Sequence, residues 1–395
     1  MSVEIAAYCG LRGTSPPPNP SREWRKLHAL YLAVCGANGK KFPGLDDVAA
    51  LMLLCYIGPD RKRGAARRHV LLEGAAGTAK TELTKAVAEA LECYTSGLQN
   101  PTDTAHARIQ GTPDLLPSAF VGYEARKDAN TFEFHDGDML KNSTVYHVDE
   151  INRIPSRTLS VLLEAMAEGQ VTLNSLLVPA ANRRRKLPWL FVVGTQNPGS
   201  FIGTNALPEP LLDRFMVRVI MPYPEQELLS GLLHSLDATA SASLNPNQIK
   251  LRVNALRKLL ARIVGKAGTP PADRNVDLAR DVAAILLASW PLEAASLIPN
   301  LLDQIPHQRR LRALVDDHLE YGLGVRAGQA LRDLSSVVAW SRTGGRLDAT
   351  VTRRDVEAVA PFVLSHRLRV KAGRCTQMDF VRRWLQQVWQ WRDSA

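Results

Sequence analysis

The run HVLLEGAAGTAKTELT, His69 to Thr84, constrains this chain more than any other stretch. Apolar residues lead into it, small residues fill its middle, and a lysine and a threonine open a helical pattern. A strand, loop and helix in that order can wrap phosphate oxygens. Consecutive backbone N–H groups converge at a helix N-terminus, where the macrodipole favours negative charge. On that reading Gly74, Ala75, Ala76, Gly77, Thr78, Ala79 and Glu82 line the phosphates, Lys80 reaches the β- and γ-phosphates, and Thr81 ligates Mg2+. The strict pattern G-x-x-x-x-G-K-[ST] fails at one place, because Ala79 stands where the second glycine is usual. As the residue that starts the helix, Ala79 is expected to need only an ordinary negative φ. A plain strand–turn–helix is the alternative for this string taken alone.

About 70 residues on, STVYHVDEINR is a β-rich run that ends in two adjacent carboxylates. At the C-terminal end of a parallel strand, Asp149 can hold Mg2+ and Glu150 can polarise a water for attack on a γ-phosphate. Together the two motifs are far more specific than either alone. His147 reads as a packing histidine, since no other ligand type accompanies it. Next, LFVVGTQNP is a buried strand whose end presents Thr195, Gln196 and Asn197, and Asn197 is the amide expected to orient the attacking water. In LPEPLLDRF, Arg214 sits away from its own phosphate loop. An arginine so placed could reach a neighbour's γ-phosphate if head-to-tail subunits close into a ring. Its alternative is a local ion pair with Asp213 or Glu209, which would be worth little. Arg326 falls in the first turn of a helix expected from about 324, where a basic residue works against the dipole. Facing an anion would account for it; a surface arginine is the alternative.

Strand-like and helical runs alternate from 69 to 221, which implies an α/β core with a mostly parallel sheet between helices. Beyond that the strand signal ends. Helical spacing recurs at 225–235, 249–266, 276–290, 309–319, 326–341 and 353–364, so an all-helical domain follows. The segment 291–308 reads as a loop with a helical turn. The expected division is an N-terminal lead-in and helix (1–44), the α/β core (45–223), a helical lid (224–368) and a helical tail (369–395). In the tail, DFVRRWLQQVWQW sets Phe380, Trp384, Val388 and Trp391 along one face, a stripe expected to pack on the lid, with partner docking as the alternative.

The net charge of +10 makes an acidic partner worth considering. The basic runs RKRGAARR (61–68) and NRRRK (182–186) read first as solvated loop charge, with nucleic acid a secondary partner. Neither carries the interleaved aromatics of a single-strand-binding surface. Five cysteines without a C-x-x-C pair, no secretory leader and no apolar run of membrane length point to a reduced, cytoplasmic protein with no membrane insertion.

These motifs, in this order, resemble the MoxR family of AAA+ ATPases, in the helix-2-insert clade. GAAGTAKT is similar to that family's phosphate loop, which carries alanine where the second glycine is usual. RIQGTPDLLPSAFVGYE resembles its helix-2 insert, and VDEINRIPSRTLSVLLEAMAEGQVTL its Walker B strand and following helix. GTQNP and GTNALPEPLLDRF resemble its sensor 1 and arginine-finger region, GVRAGQAL its sensor 2 helix, and VTRRDVEAVAPFVLSHRL the end of its lid. The resemblance covers roughly 45–368. It implies a P-loop AAA+ core with an all-helical lid, ATP and Mg2+ as cofactors, and an ATPase with Glu150 as base. Asn197 would be sensor 1, Arg214 the arginine finger, and Arg326 sensor 2, acting in its own subunit or a neighbour's. It further implies a homo-oligomeric ring, a hexamer, that remodels or activates a protein client, commonly with a von Willebrand factor A-domain partner. The other readings compatible with the residues are a nucleic-acid motor or loader using the basic hairpin, and a nucleotide-dependent switch scaffold.

Overall fold

The structure is a computed structural model that describes residues 4–13, 17–36, 41–57, 68–95, 106–128, 132–140, 145–173, 183–187, 190–198, 205–223, 276–371 and 375–394. Three helices come first: α1 (Ile5–Tyr8), α2 (Arg22–Cys35) and α3 (Asp46–Ile57). Ser21 caps α2 by accepting the Trp24 N–H. Every residue of α3 from Val48 to Ile57 is buried, so this helix is apolar all round and is covered on every side.

A five-stranded parallel sheet follows, built from β1 (Val70–Glu73), β2 (His106–Gln110), β5 (Val145–Asp149), β8 (Phe191–Gln196) and β9 (Val217–Ile220) in the order β2-β5-β8-β1-β9. All five are strands the sequence marks out. The reason is plain in β5, where all five residues are buried: helices cover both faces, so the strands read as near-continuous apolar runs. Register sets the chemistry. Gln110 of β2 lies opposite Asp149 of β5, and Glu73 of β1 opposite Gln196 of β8, so the polar strand ends share one carboxyl edge.

Helix α4 (Lys80–Thr95) returns from β1. The segment 107–123 carries α5 (Pro117–Val121) and leads into the hairpin β3 (Tyr123–Arg126) and β4 (Phe132–His135). Helix α6 (Ser156–Glu168) precedes a second hairpin, β6 (Gln170–Leu173) and β7 (Arg183–Lys186), and α7 (Glu209–Leu212) precedes β9.

The expected helices at 225–235 and 249–266 lie outside the described residues. The rest of the helical half is α8 (Val276–Ala288), α9 (Leu292–Ser296), α10 (Arg309–His318), α11 (Val325–Arg342) and α12 (Arg353–Leu364). Between α9 and α10 there is a single 3-10 turn at Leu302–Gln304, as the aperiodic sequence there suggests. One correction is needed. The helical half is not free of strands, because β10 (Leu319–Tyr321) pairs antiparallel with β11 (Arg369–Val370). These strands have three and two residues, too short for a period-2 pattern to register.

The tail is α13 (Gln377–Ser394). Phe380, Val381, Trp384, Leu385 and Val388 are buried, and the Trp384 indole donates to Ala288 O (3.3 Å). Phe380, Trp384 and Val388 of the expected stripe are therefore core, each contributing about 1.5–3 kcal/mol through burial, while Trp391 is only partly buried against the same cluster. The lid is stapled to the edge of the sheet. Arg367 donates to the main-chain oxygens of Asp213 (3.1 Å), Phe215 (2.6 Å) and Met216 (3.2 Å), and His366 Nε2 donates to Phe215 O (3.0 Å). Burial, then the Arg367 charge, pushes the His366 pKa well down, so the ring is neutral. One continuous apolar cluster joins the three N-terminal helices, one side of the sheet, the lid and the tail.

Candidate functional site: the carboxyl edge of the sheet and the Asp213 arginines

The phosphate loop runs from Gly74 to Ala79 between β1 and α4. Gly77 has φ +80° and open space where a Cβ would stand, so the chain turns there while leaving the mouth of the loop clear. Ala79 departs from expectation: its φ is +56°, not negative. The helix begins at Lys80, one residue later than the simple reading assumes, and Ala79 makes the left-handed turn into it. A Cβ in that region costs about 1 kcal/mol. Packing of Ala79 against the main apolar cluster offsets part of this.

Lys80 lies over the loop. Its Nζ donates to Gly74 O (2.7 Å) and Ala75 O (2.7 Å) and lies 3.4 Å from both Thr78 Oγ1 and Asn197 Oδ1. Burial lowers its pKa, against the pull of Asp149 and Glu150. Thr81 Oγ1 donates to Asp149 Oδ2 at 3.3 Å. The Glu82 side chain is exposed and makes no ion pair or hydrogen bond among the described residues, so what it offers a phosphate is its first-turn amide.

Asp149 ends β5 and is nearly surrounded. Thr195 Oγ1 donates to its Oδ1, Arg108 Nη2 sits 2.6 Å from its Oδ2, and His147 Nε2 is 3.9 Å from Oδ1. Burial alone would raise this carboxyl. The Thr195 and Arg108 hydrogen bonds, with the charges of His147 and Arg108, outweigh it and hold the pKa below the usual carboxylate value. His147 itself is fully buried, in keeping with a packing role. The next residue, Glu150, takes φ +50°, ψ +45° and opens a 3-10 turn over Ile151–Arg153. Non-glycine residues in this region cost about 1–3 kcal/mol and concentrate at functional sites. The strained turn is clamped from several sides. Glu150 N–H donates to Thr195 Oγ1 (3.2 Å), Gln110 Nε2 donates to Glu150 Oε2 (3.0 Å), Arg153 Nε lies 3.2 Å from the same oxygen, and Asn197 Nδ2 is 3.4 Å from Oε1. Gly111 permits the crossing, since a Cβ there would stand 2.3 Å from Glu150 O.

Asn197 thus stands between Lys80 and Glu150, its Oδ1 toward one and its Nδ2 toward the other. Lys80, Asn197 and Glu150, and separately Thr81 and Asp149, all picked from sequence, form two hydrogen-bonded sets that the Thr195 hydroxyl joins. The donor set suits Mg2+. A hydroxyl and a carboxylate face each other, and no group of three or more His, Cys, Asp or Glu among the described residues forms an all-protein cage. Mg2+ prefers few protein oxygens, with phosphate and water completing its shell. Gly77 and the first-turn amides of α4 likewise fit a triphosphate.

Arg214 and Arg326 stand together elsewhere, on Asp213. Arg326 Nη1 is 3.1 Å and Arg214 Nη1 3.7 Å from the same oxygen, Asp213 Oδ2, while Arg367 Nε is 3.2 Å from Oδ1. The ion pair weighed for Arg214 therefore exists but is long, and Glu209 pairs instead with Arg369 (3.3 Å). Arg214 is mostly buried, and its Nε and Nη1 have no hydrogen-bond acceptor among the described residues. Burial, then the like charge of Arg326, lowers its pKa.

Sequence reasoning assigned nothing to Arg108 and Gln110. Their signal was present: they are polar residues at i and i+2, hence on one face of an otherwise covered strand. Of the first basic run only Arg68 is described, and it is buried, not solvated, with Nη1 3.4 Å from Tyr56 O. In the second run Arg184, Arg185 and Lys186 are exposed on β7, and Arg185 pairs with Asp136 (2.7 Å).

Comparison with known proteins converges with this geometry. Residues 69–217 match the model of the ATPase family associated with various cellular activities (AAA). The chain is 37% identical over 201 residues to the uncharacterized protein YeaC of Bacillus subtilis, covering 50% of this chain and 54% of that one. It is 32% identical over 226 residues to Chaperone MoxR1 of Mycobacterium tuberculosis, covering 57% and 52%. The matches thus span about half the length of these curated relatives. A solved structure of a candidate ATPase from Cytophaga hutchinsonii superposes with a TM-score of 0.63 over 93% of this chain and 94% of that one, at 24% identity, a likeness of fold. Residues 69–217, with their phosphate loop and paired Asp-Glu strand end, are therefore a module of the AAA ATPase family, and the chain as a whole is similar to the MoxR-type members of that group.

Proposed function

We propose that this chain is a Mg2+-dependent ATPase that works as a homo-oligomeric ring and uses hydrolysis to remodel or activate a protein partner. The observation that carries the reading is the pair of hydrogen-bonded sets, Lys80–Asn197–Glu150 and Thr81–Asp149, joined through the Thr195 hydroxyl. Lys80 and the loop amides bind the triphosphate. Thr81 and Asp149 hold the metal. Mg2+ held there would supply positive charge against the negative charge that develops on the phosphate. Glu150 takes the proton from the attacking water, and Asn197 orients that water against it.

Arg214 and Arg326 reach one carboxylate oxygen, so the two guanidiniums act on one phosphate. Arg214 belongs to a ring neighbour's site, and Arg326 then acts across the same interface. A hexameric ring, a cytoplasmic location, a von Willebrand factor A-domain partner and the division into core (45–223), lid (224–368) and tail are parts of this proposal. They rest on the sequence resemblance, and the chaperone name of one relative supports the choice of a protein client. No helix among the described residues is long and apolar enough to cross a membrane.

The test is hydrolysis by purified protein under assembling conditions, wild type against Lys80→Ala. Wild-type turnover that vanishes in the variant supports the proposal, and equal rates sink it. Affinity capture with Glu150→Gln, held in the ATP-bound state, identifies the client.

A further inference from the structure

Among the described residues, Arg108 is the arginine in ion-pair contact with Asp149, where the metal would have to bind. Its Nη2 lies 2.6 Å from Asp149 Oδ2, the same oxygen that accepts from Thr81 Oγ1 at 3.3 Å. A Mg2+ ion needs oxygens at about 2.0–2.1 Å in near-octahedral array, and one bound to that oxygen would stand beside the guanidinium, where two cations repel. Arg108 has somewhere else to go. The same Nη2 is 3.1 Å from Gln110 Oε1, and the side chain is 48% exposed, so it can swing into water at small cost. Nothing else in the site needs its charge: Lys80 serves the loop and Arg153 serves Glu150.

We infer that Arg108 is a positioning residue that competes with Mg2+ for Asp149. It holds the carboxylate aimed while the metal is away and yields it when Mg2+ arrives with nucleotide. Arg108 thereby sets the Mg2+ concentration at which the site fills. Its release also frees it to bond Gln110 Oε1 alone, and Gln110 is the residue whose Nε2 holds Glu150. This inference rests on the proposal that Thr81 and Asp149 hold the metal.

Mn2+ can stand in for Mg2+ and be counted directly, because its free aqueous form gives an electron paramagnetic resonance signal that is lost on binding. The titration is run on the full chain with a non-hydrolysable ATP analogue, for wild type, Arg108→Gln, Arg108→Lys and Asp149→Asn. Arg108→Gln should bind Mn2+ about fivefold more tightly, the scale of a half-exposed ion pair. Arg108→Lys, which keeps a cation, should stay near wild type, and the metal-free affinity for a fluorescent ATP analogue should be unchanged in both. Mn2+ affinity in Arg108→Gln equal to or weaker than wild type overturns the inference, as does a fall in metal-free nucleotide affinity, which would make Arg108 a phosphate ligand. Mn2+ binding that is absent in wild type, or undiminished in Asp149→Asn, overturns the metal site itself and this inference with it.

Discussion

Two clusters of charge lie at the ends of this molecule's strands, and they are built on opposite principles. At the carboxyl edge of the sheet, every carboxylate oxygen of Asp149 and Glu150 has a donor within the chain. Around Asp213, three arginines crowd a single carboxylate, and one of them keeps a buried Nε and Nη1 without an acceptor among the described residues. The first cluster is internally satisfied and is organised before any ligand binds. The second has surplus cation and lowers its energy when an anion joins it. In the proposed ring, a site split in this way would keep hydrolysis off in a lone subunit and switch it on when a neighbour supplies its phosphate.

The comparison breaks first at Glu150 and Lys80. Glu150→Gln should lower turnover by at least about 100-fold with nucleotide binding retained, whereas Lys80→Ala should remove binding, both read by ATPase rate and analogue fluorescence. Arg214→Ala should match Glu150→Gln in rate loss while leaving nucleotide affinity intact. Mixed rings sharpen the point: Arg214→Ala subunits combined with Glu150→Gln subunits should regain activity only if the two clusters belong to different subunits' sites. No recovery in the mixture would place both in one subunit. Asp213→Asn removes the carboxylate beneath three guanidiniums and should lower stability by about 1–3 kcal/mol in dilute buffer, with added phosphate restoring part of it in thermal unfolding.

Histidines give a pH signature that the two clusters do not share. His69 at the base of β1 accepts the Val192 N–H on Nδ1 (3.0 Å), and burial, then the Arg68 charge, pushes its pKa down to about 3. His366 at the seam of lid and core is depressed in the same direction. A depressed folded-state pKa means stability that is complete above the unfolded value near 6.5 and is lost as pH falls toward the folded one. Unfolding temperature should therefore drop from pH 7 to pH 5, and His366→Gln should flatten part of that slope. Asp149 is also depressed, but from 3.8, so its contribution is lost only in stronger acid. The smallest expected effect is Ala79→Gly. Relief of left-handed strain and the greater freedom of glycine in the unfolded chain oppose each other, so the shift should stay within about 1 kcal/mol with nucleotide binding kept.

What the sequence made legible was whatever depends on runs and neighbours in the chain. The inner strands β1, β5 and β8 showed as short buried apolar runs and the edge strands as short β-rich ones, and Lys80, Thr81, Asp149, Glu150 and Asn197 stood near their ends, where sheet geometry must gather them. The tail stripe of Phe380, Trp384 and Val388 was legible for the same reason. What stayed hidden depends on partners far off in sequence or on backbone angles that residue type does not report. Alanine rarely turns left-handed, so Ala79 was given the wrong sign of φ. Arg108 finds Asp149 only across the β2–β5 register, 41 positions away. Arg68 belongs to a run that reads as surface, yet its own burial is set by contact with α3.

The Thr195 hydroxyl has one proton and gives it to Asp149, and it takes the Glu150 amide on a lone pair. A single oxygen is thus the hinge pin between Asp149, the proposed metal ligand, and Glu150, the proposed base. Neither residue can shift without dragging the other, so the two are geared together. Thr195→Val would keep the shape of that pin while disengaging the gears: the strand would pack as before, but metal position and water activation would no longer be timed to one another.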